Sequence, residues 1–329
     1  MTRQRTTKFL LNGPGFIRGV IAACLLLSGV AQAQPLPVLS LSVLQFGTAH
    51  WELDHLKHRG LDRAHGYRLD LRPVANLPAS RLAVTSGTVD GAVADLLWTQ
   101  SRYAAGSPFL YVPFSSRIGD IVVAKESGIE TIADLTGRRI GVAGGPDSKG
   151  WVLLNQVASQ QGLSLKDGVE LQFGAPPLLS QALKRGQVDA IVTYWHFAAR
   201  LKGQGEWRSA FAMEDLLSEL GLDTNLPVLG YVFPEGWAQT HRDLIDRFAR
   251  SLRQVKEELA EEPGHWQRIR ALMRNPASGE FEALREGFVA GTPEPLTEQR
   301  ISDLQRLLEL TGANPDRLMP AALFYREAP

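Results

Sequence analysis

Short apolar runs alternate with helical periods along the first two thirds of the chain. Leu41–Phe46 (LSVLQF) reads as a buried strand, and the pattern turns helical over Trp51–His65. The alternation continues with a strand at Tyr67–Val74, a helix at Pro78–Ser86, a strand at Asp90–Trp98 and a helix at Thr99–Ala105. Pro108–Ser116 and Gly119–Lys125 follow as two successive extended segments. The rhythm then restarts: strand Arg139–Ala143, helix Ser148–Gln161, strand Val169–Phe173, helix Leu178–Arg185, strand Val188–Tyr194. Strands interleaved with short helices predict parallel α/β units, and the restart predicts two of them. Val228–Phe233 is a strand that would carry the chain back to the first unit. From Thr240 onward the pattern is helical, over Asp243–Glu262, His265–Met273, Phe281–Ala290 and Thr297–Leu310, punctuated by Gly264, Gly291, Pro293 and Gly312. No repeat of 20–50 residues suggests a solenoid.

The N-terminus departs from this pattern. Arg3, Arg5, Lys8 and Arg18 precede an apolar run from Val20 to Ala31 that ends in Ala31-Gln32-Ala33, the layout of a cleavable secretory signal over residues 1–33. Cys24 resembles a lipoprotein site only superficially, because most of the apolar run follows it. Loss of these residues would take away four positive charges and the chain's one cysteine. Thirty-one basic residues would then face thirty-five acidic ones, a net charge of about −4 that does not invite nucleic acid. Disulfides, thiolate catalysis and cysteine-based metal sites would be excluded as well. No other apolar run approaches the roughly 20 residues a bilayer requires, so a soluble periplasmic protein is expected. About 296 residues remain, enough for two lobes: 34–117 with 226–329, and 118–225.

Two passages carry a family resemblance. Asp134–Gly150 (DLTGRRIGVAGGPDSKG) resembles the "L-x-G-K-x-I-G-V-x-x-G-S" passage of solute-binding proteins that serve nitrate, taurine and aliphatic-sulfonate ABC importers, the NMT1/THI5-like type. Leu179–Trp195 (LSQALKRGQVDAIVTYW) resembles the "A-L-x-x-G-x-V-D-A-x-x-x-W" passage of the same family, and Ala83–Asp95 is a weaker echo in the first lobe. The resemblance spans residues 41 to 237. It implies a two-lobed α/β type II periplasmic binding protein fold with a helical C-terminal extension. It also implies a non-enzymatic monomer without cofactor, which closes on a small-molecule ligand and delivers it to an ABC permease and its ATPase.

Open parallel sheets bind ligands beyond the carboxyl ends of their strands, where helix N-termini present free N–H groups. Four strand-to-helix junctions are therefore expected to face one cleft: Gly47–Trp51, Asp95–Trp98, Gly144–Gly150 and Tyr194–His196. At the first, Thr48, His50 and Trp51 offer polar and aromatic contact, unless Thr48 caps the helix and Trp51 packs between elements. Asp95 ends an apolar strand and needs a partner, either a ligand or a nearby donor. Asp120, near the crossover, has a weaker version of the same argument. Asp147 and Ser148 open a helix as a nest or as a cap. Asp147 departs from the family pattern, and a carboxylate there would disfavour an anionic ligand, which leans the reading toward a neutral, zwitterionic or cationic compound or a metal chelate. Lys149 is the residue able to reverse that sign. Of Tyr194, Trp195 and His196, one aromatic is expected in contact with the ligand and one in the core.

Two other readings stay open. Asp95, Asp120, Asp147, His50 and His196 are donors of the type a metal or metal-chelate receptor uses. A periplasmic serine hydrolase would pair Ser148 with His196 and an Asp, although no G-x-S-x-G, H-E-x-x-H, G-x-G-x-x-G or P-loop lysine is present. The dense histidines of 50–65 separate on a helical wheel. Leu53, Leu56, Gly60 and Ala64 share one face, while Asp54, His55, His58, Asp62 and His65 fall on the other and are expected in solvent, leaving His50 aimed at the cleft.

Overall fold

The structure is a computed structural model that describes residues 35–327; the secretory signal expected at 1–33 lies outside the described residues. Ten strands fall into two five-stranded sheets. In chain order they are β1 (Val38–Leu44), β2 (Arg68–Val74), β3 (Gly91–Asp95), β4 (Phe109–Ser115), β5 (Gly119–Ala124), β6 (Arg139–Ala143), β7 (Glu170–Gly174), β8 (Ala190–Tyr194), β9 (Trp207–Ala212) and β10 (Leu229–Pro234). The first sheet has the order β2-β1-β3-β10-β4 and the second β7-β6-β8-β5-β9. In each, four strands run in one direction and the fifth, β10 or β5, pairs antiparallel with both neighbours. The chain crosses between the sheets twice, at residues 116–118 and again between β9 and β10. We refer to each sheet with its covering helices as a lobe.

The strand sequences explain this layering. Leu39, Leu41 and Val43 of β1 are at most 1% exposed, and the intervening Ser42 is equally buried, so both faces are covered. Ile121, Val122 and Val123 of β5 are fully buried in succession, the signature of a strand clothed by helices on both sides. The long helix Arg242–Glu261 turns Leu244, Ile245, Phe248, Leu252, Val255 and Leu259 into one stripe and lays it on the first lobe.

Several boundaries differ from the sequence reading for local reasons. The strand expected over 90–98 stops at Asp95, whose carboxylate accepts the Trp98 amide at 2.9 Å and caps the helix Leu96–Ala104. The helix expected from Trp51 starts at Thr48 and ends at Gly60, which takes φ 69 and closes the last turn through its N–H. Strand β9 and the helices Met213–Glu219 and Glu235–Thr240 carry little period. Every residue of β9 is half-buried, so no alternation marks it.

The helical wheel also needs correction. Helix Arg242–Glu261 covers part of the polar face of Thr48–Arg59, while Lys57, His58 and Arg59 at its end stay exposed. Glu52, fully buried, receives Lys256 Nζ at 2.7 Å and the Tyr231 hydroxyl at 2.6 Å. His55, also fully buried, meets Glu258 at 2.9 Å, and Arg59 Nε donates to the same carboxylate at 3.1 Å. Asp62 is 4% exposed and accepts the amides of Arg63 and Leu69. His65 is half-buried against Gln254 and Asp54 against Arg268, and of the five only His58 remains exposed as expected.

Candidate functional site

Three of the four junctions converge at the carboxyl ends of β3, β6 and β8. On the first lobe Arg81 Nη2 donates to Asp95 Oδ2 at 2.9 Å, and its guanidinium lies 5.4 Å from the Trp98 ring centroid. Asp95 thus finds its charge partner within the chain, and the pair is electrically neutral.

The second lobe contributes the turn 144–148 and the start of helix Lys149–Gln160. Gly144 takes φ 91, and a side chain there would meet the Tyr194 hydroxyl at 3.2 Å, so glycine lets Tyr194 lie across the turn. Ser148 occupies the N-cap position, yet its Oγ is buried and makes no hydrogen bond. Lys149 Nζ sits 6.0 Å from the Tyr194 ring centroid and has no ion pair among the described residues. A cavity of about 10 Å³ lies against Ser148, Lys149 and Tyr194, room for roughly one water.

The charges of the two lobes interact. Burial pushes the Lys149 ammonium below its ordinary pKa, with Asp95 pulling it back up and Arg81 adding to the depression. Burial, reinforced by Asp95, raises the Tyr194 phenol. His196 is pushed down to about 3 by burial, then by Arg200 and Lys149, so its imidazole is neutral at physiological pH. With His196 neutral and Arg81 neutralised, Lys149 leaves the site with excess positive charge at the start of a twelve-residue helix.

The remaining sequence candidates lie elsewhere. Trp51 and Trp195 are 1% and 4% exposed and pack with Trp266 and Phe288, so neither ring is available to a ligand. Thr48 is the first residue of its helix and buried, with Gly47 in the cap position and no side-chain cap. His50 is half-buried, and its Nδ1 bonds to the Gln45 carbonyl at 2.7 Å. Asp120 is 1% exposed; Lys202 Nζ at 2.5 Å and Ser209 Oγ at 2.7 Å take its Oδ2, which makes it an internal ion pair of the second lobe. Asp147 is exposed in the turn, outside the helix start that Ser148 occupies. Arg81, Trp98 and Arg200 were not singled out from sequence. Arg81 lies in mid-helix with no local motif, and only its pairing across fourteen residues with Asp95 reveals it.

Residues 57–265 match the family described as NMT1/THI5 like. The chain belongs to this family. No curated protein matches it. Among solved structures, the NMT1/THI5-like chain is similar to the periplasmic aliphatic sulphonate binding protein SsuA from Escherichia coli. The two are 18% identical over 86% of this chain and 97% of that one, with a TM-score of 0.69. The alkanesulfonate-binding SsuA from Xanthomonas axonopodis pv. citri, bound to MOPS, is 22% identical over 89% and 100%, with a TM-score of 0.67. The periplasmic nitrate-binding NrtA from Synechocystis PCC 6803 is 12% identical over 85% and 83%, with a TM-score of 0.61. At these identities the likeness establishes that the family member has a two-lobed periplasmic binding protein fold.

Proposed function

We propose that the protein is the periplasmic solute-binding component of an ABC importer, and that it captures a small organic anion of the sulfonate class between its lobes. One observation carries this reading: the half-buried Lys149 ammonium, without an ion pair among the described residues, beside the unpartnered Ser148 Oγ at a helix N-terminus. A partly desolvated cation without a partner gains from an anionic ligand through charge-assisted hydrogen bonds. The carboxylate that argued against an anion, Asp147, points away from this role because it is exposed outside the helix start. Sulfonate and nitrate ligands of the similar binding proteins agree in charge.

A drug-sized ligand needs a pocket of about 300 Å³ or more. The cavity beside Lys149 is far smaller and is lined from the second lobe and the crossover alone, so the ligand's space would come from the gap between the lobes, which would close on it as a hinge. The organic part of the ligand would lie against Tyr194 and Trp98. Delivery would be to an ABC permease and its ATPase.

The metal-receptor reading gains no support at this site, since no three His, Cys, Asp or Glu donors gather there among the described residues. The hydrolase reading lacks its base, since Ser148 Oγ makes no hydrogen bond to His196 or any other group.

The test is a thermal-shift screen of the purified protein against sulfonates, nitrate, amines and divalent metals, alongside native mass spectrometry of any co-purified compound. Stabilisation by about 2.7 kcal/mol is expected at 100 times the dissociation constant of the true ligand. Selective stabilisation by amines rather than sulfonates would reject the reading.

A further inference from the structure

We propose that His55, Glu258 and His265 form a site for a resident first-row divalent ion of the zinc type, outside the strand-end site. The three residues come from three elements: helix Thr48–Arg59, helix Arg242–Glu261 and helix His265–Ile269. Their donor atoms all lie within 4.8 Å of one another, the only such grouping among the described residues. His55 Nε2 and Glu258 Oε2 are 2.9 Å apart, and the two imidazole rings sit 4.7 Å apart at 58°. Zinc bonds of about 2.0–2.1 Å in a tetrahedron place donors about 3.3 Å from each other, so small rotations of the part-exposed Glu258 and His265 suffice.

A second observation points to a ligand. His55 is 0% exposed, yet its Nδ1 is buried with no hydrogen-bond partner. Buried polar atoms are nearly always satisfied. With Nε2–H donating to Glu258, Nδ1 keeps a lone pair that no donor reaches; with the other tautomer, an N–H is stranded. A metal ion on Nδ1 would take that lone pair, whereas one on Nε2 would leave Nδ1–H without an acceptor. Two neutral imidazoles and one carboxylate form a set that leaves a fourth position open, and Glu262 Oε2, 4.0 Å from His265 Nε2, stands nearby to fill it.

Competing groups are present. Arg59 Nε and Gln254 Nε2 donate to Glu258, and Arg268, paired with Asp54, lies close enough to bear on His55. Arg59 is nearly half-exposed and can swing into water when an ion takes its place. The ion would cross-link three helices and stiffen the frame behind Trp51. It would use one histidine of the dense 50–65 stretch together with two partners about two hundred residues away.

The test is titration of the chelator-stripped protein with Zn(II) by calorimetry and with Co(II) by visible absorption. One equivalent should bind, raise the Tm and give tetrahedral Co(II) bands. Glu258→Gln and His265→Gln should each weaken binding at least tenfold, whereas His58→Gln, an exposed histidine on the same helix as His55, should change nothing. Circular dichroism verifies folding; if Glu258→Gln unfolds, His265→Gln decides alone. Absence of stoichiometric binding, or binding unchanged in His265→Gln, overturns the proposal.

Discussion

Trp51 and Trp195 meet edge to face with ring centroids 6.1 Å apart, although one stands behind β1 of the first lobe and the other follows β8 of the second. Trp195 is thus a side chain of the second lobe buried in a core it shares with the first, against Trp51 and the helix at Gly287. The contact joins the lobes near the ends of β1 and β8, and Asp95 of the first lobe lies close enough to Lys149 of the second to act on its charge.

Trp195→Ala is therefore a stability change first. Truncating a buried tryptophan costs about 3–5 kcal/mol. Urea unfolding should show a midpoint lowered by an amount in that range once multiplied by the m-value. A loss of ligand affinity with no change in midpoint would return Trp195 to the ligand.

Helix Ser278–Ala290 fits against Trp195 because residue 287 has no side chain. A Cβ there would lie 2.8 Å from Trp195 Cζ3. Gly287→Ala should cost about 1–3 kcal/mol through overpacking, although alanine favours the helix itself. Gly287→Ala combined with Trp195→Phe should recover part of that loss. Thermal denaturation of the two variants measures this, and an unchanged Tm in Gly287→Ala would contradict the packing.

His196 makes stability depend on pH. Its folded pKa of about 3 lies below the 6.5 of an ordinary histidine, so between these values the unfolded chain binds the extra proton. The stability from keeping His196 neutral is complete above about 6.5 and is lost as pH falls toward 3. Relative to the parent, His196→Gln should therefore become more stable as pH is lowered from 7 to 4.5. Parallel Tm profiles for the two proteins across that range would remove His196 from the account.

Much of this architecture was legible in the sequence. Runs such as Leu41–Leu44 and Val188–Tyr194 announce buried strands because helices clothe both sheet faces. Strand β1 starts earlier, at Val38, and Gln45 and Phe46, read as its end, lie exposed in the turn that follows. The glycine-rich turn before Ser148 and the aromatic strand end at Tyr194, read separately from sequence, lie together beside Lys149. What failed depended on partners far along the chain. His55 and Asp62 read as a polar face, and a solvated face and one covered by the chain look alike until the covering helix and its Glu258 are placed. Trp51 and Trp195 looked like ligand platforms for the same reason: the core that claims them is assembled from residues 266 and 288. Lys149 stood in plain view, but its charge dominates only because Arg81 neutralises Asp95 while Asp147 turns outward.

The central claim is that the unpaired Lys149 ammonium receives an anion between the lobes. Calorimetric titration of an alkanesulfonate into the parent protein and into Lys149→Met tests it most directly. A charge-assisted hydrogen bond contributes about 1.5–3 kcal/mol, so the substitution should weaken binding by roughly 10- to 150-fold, with Lys149→Arg retaining most of the affinity. Equal or tighter binding by Lys149→Met would contradict it.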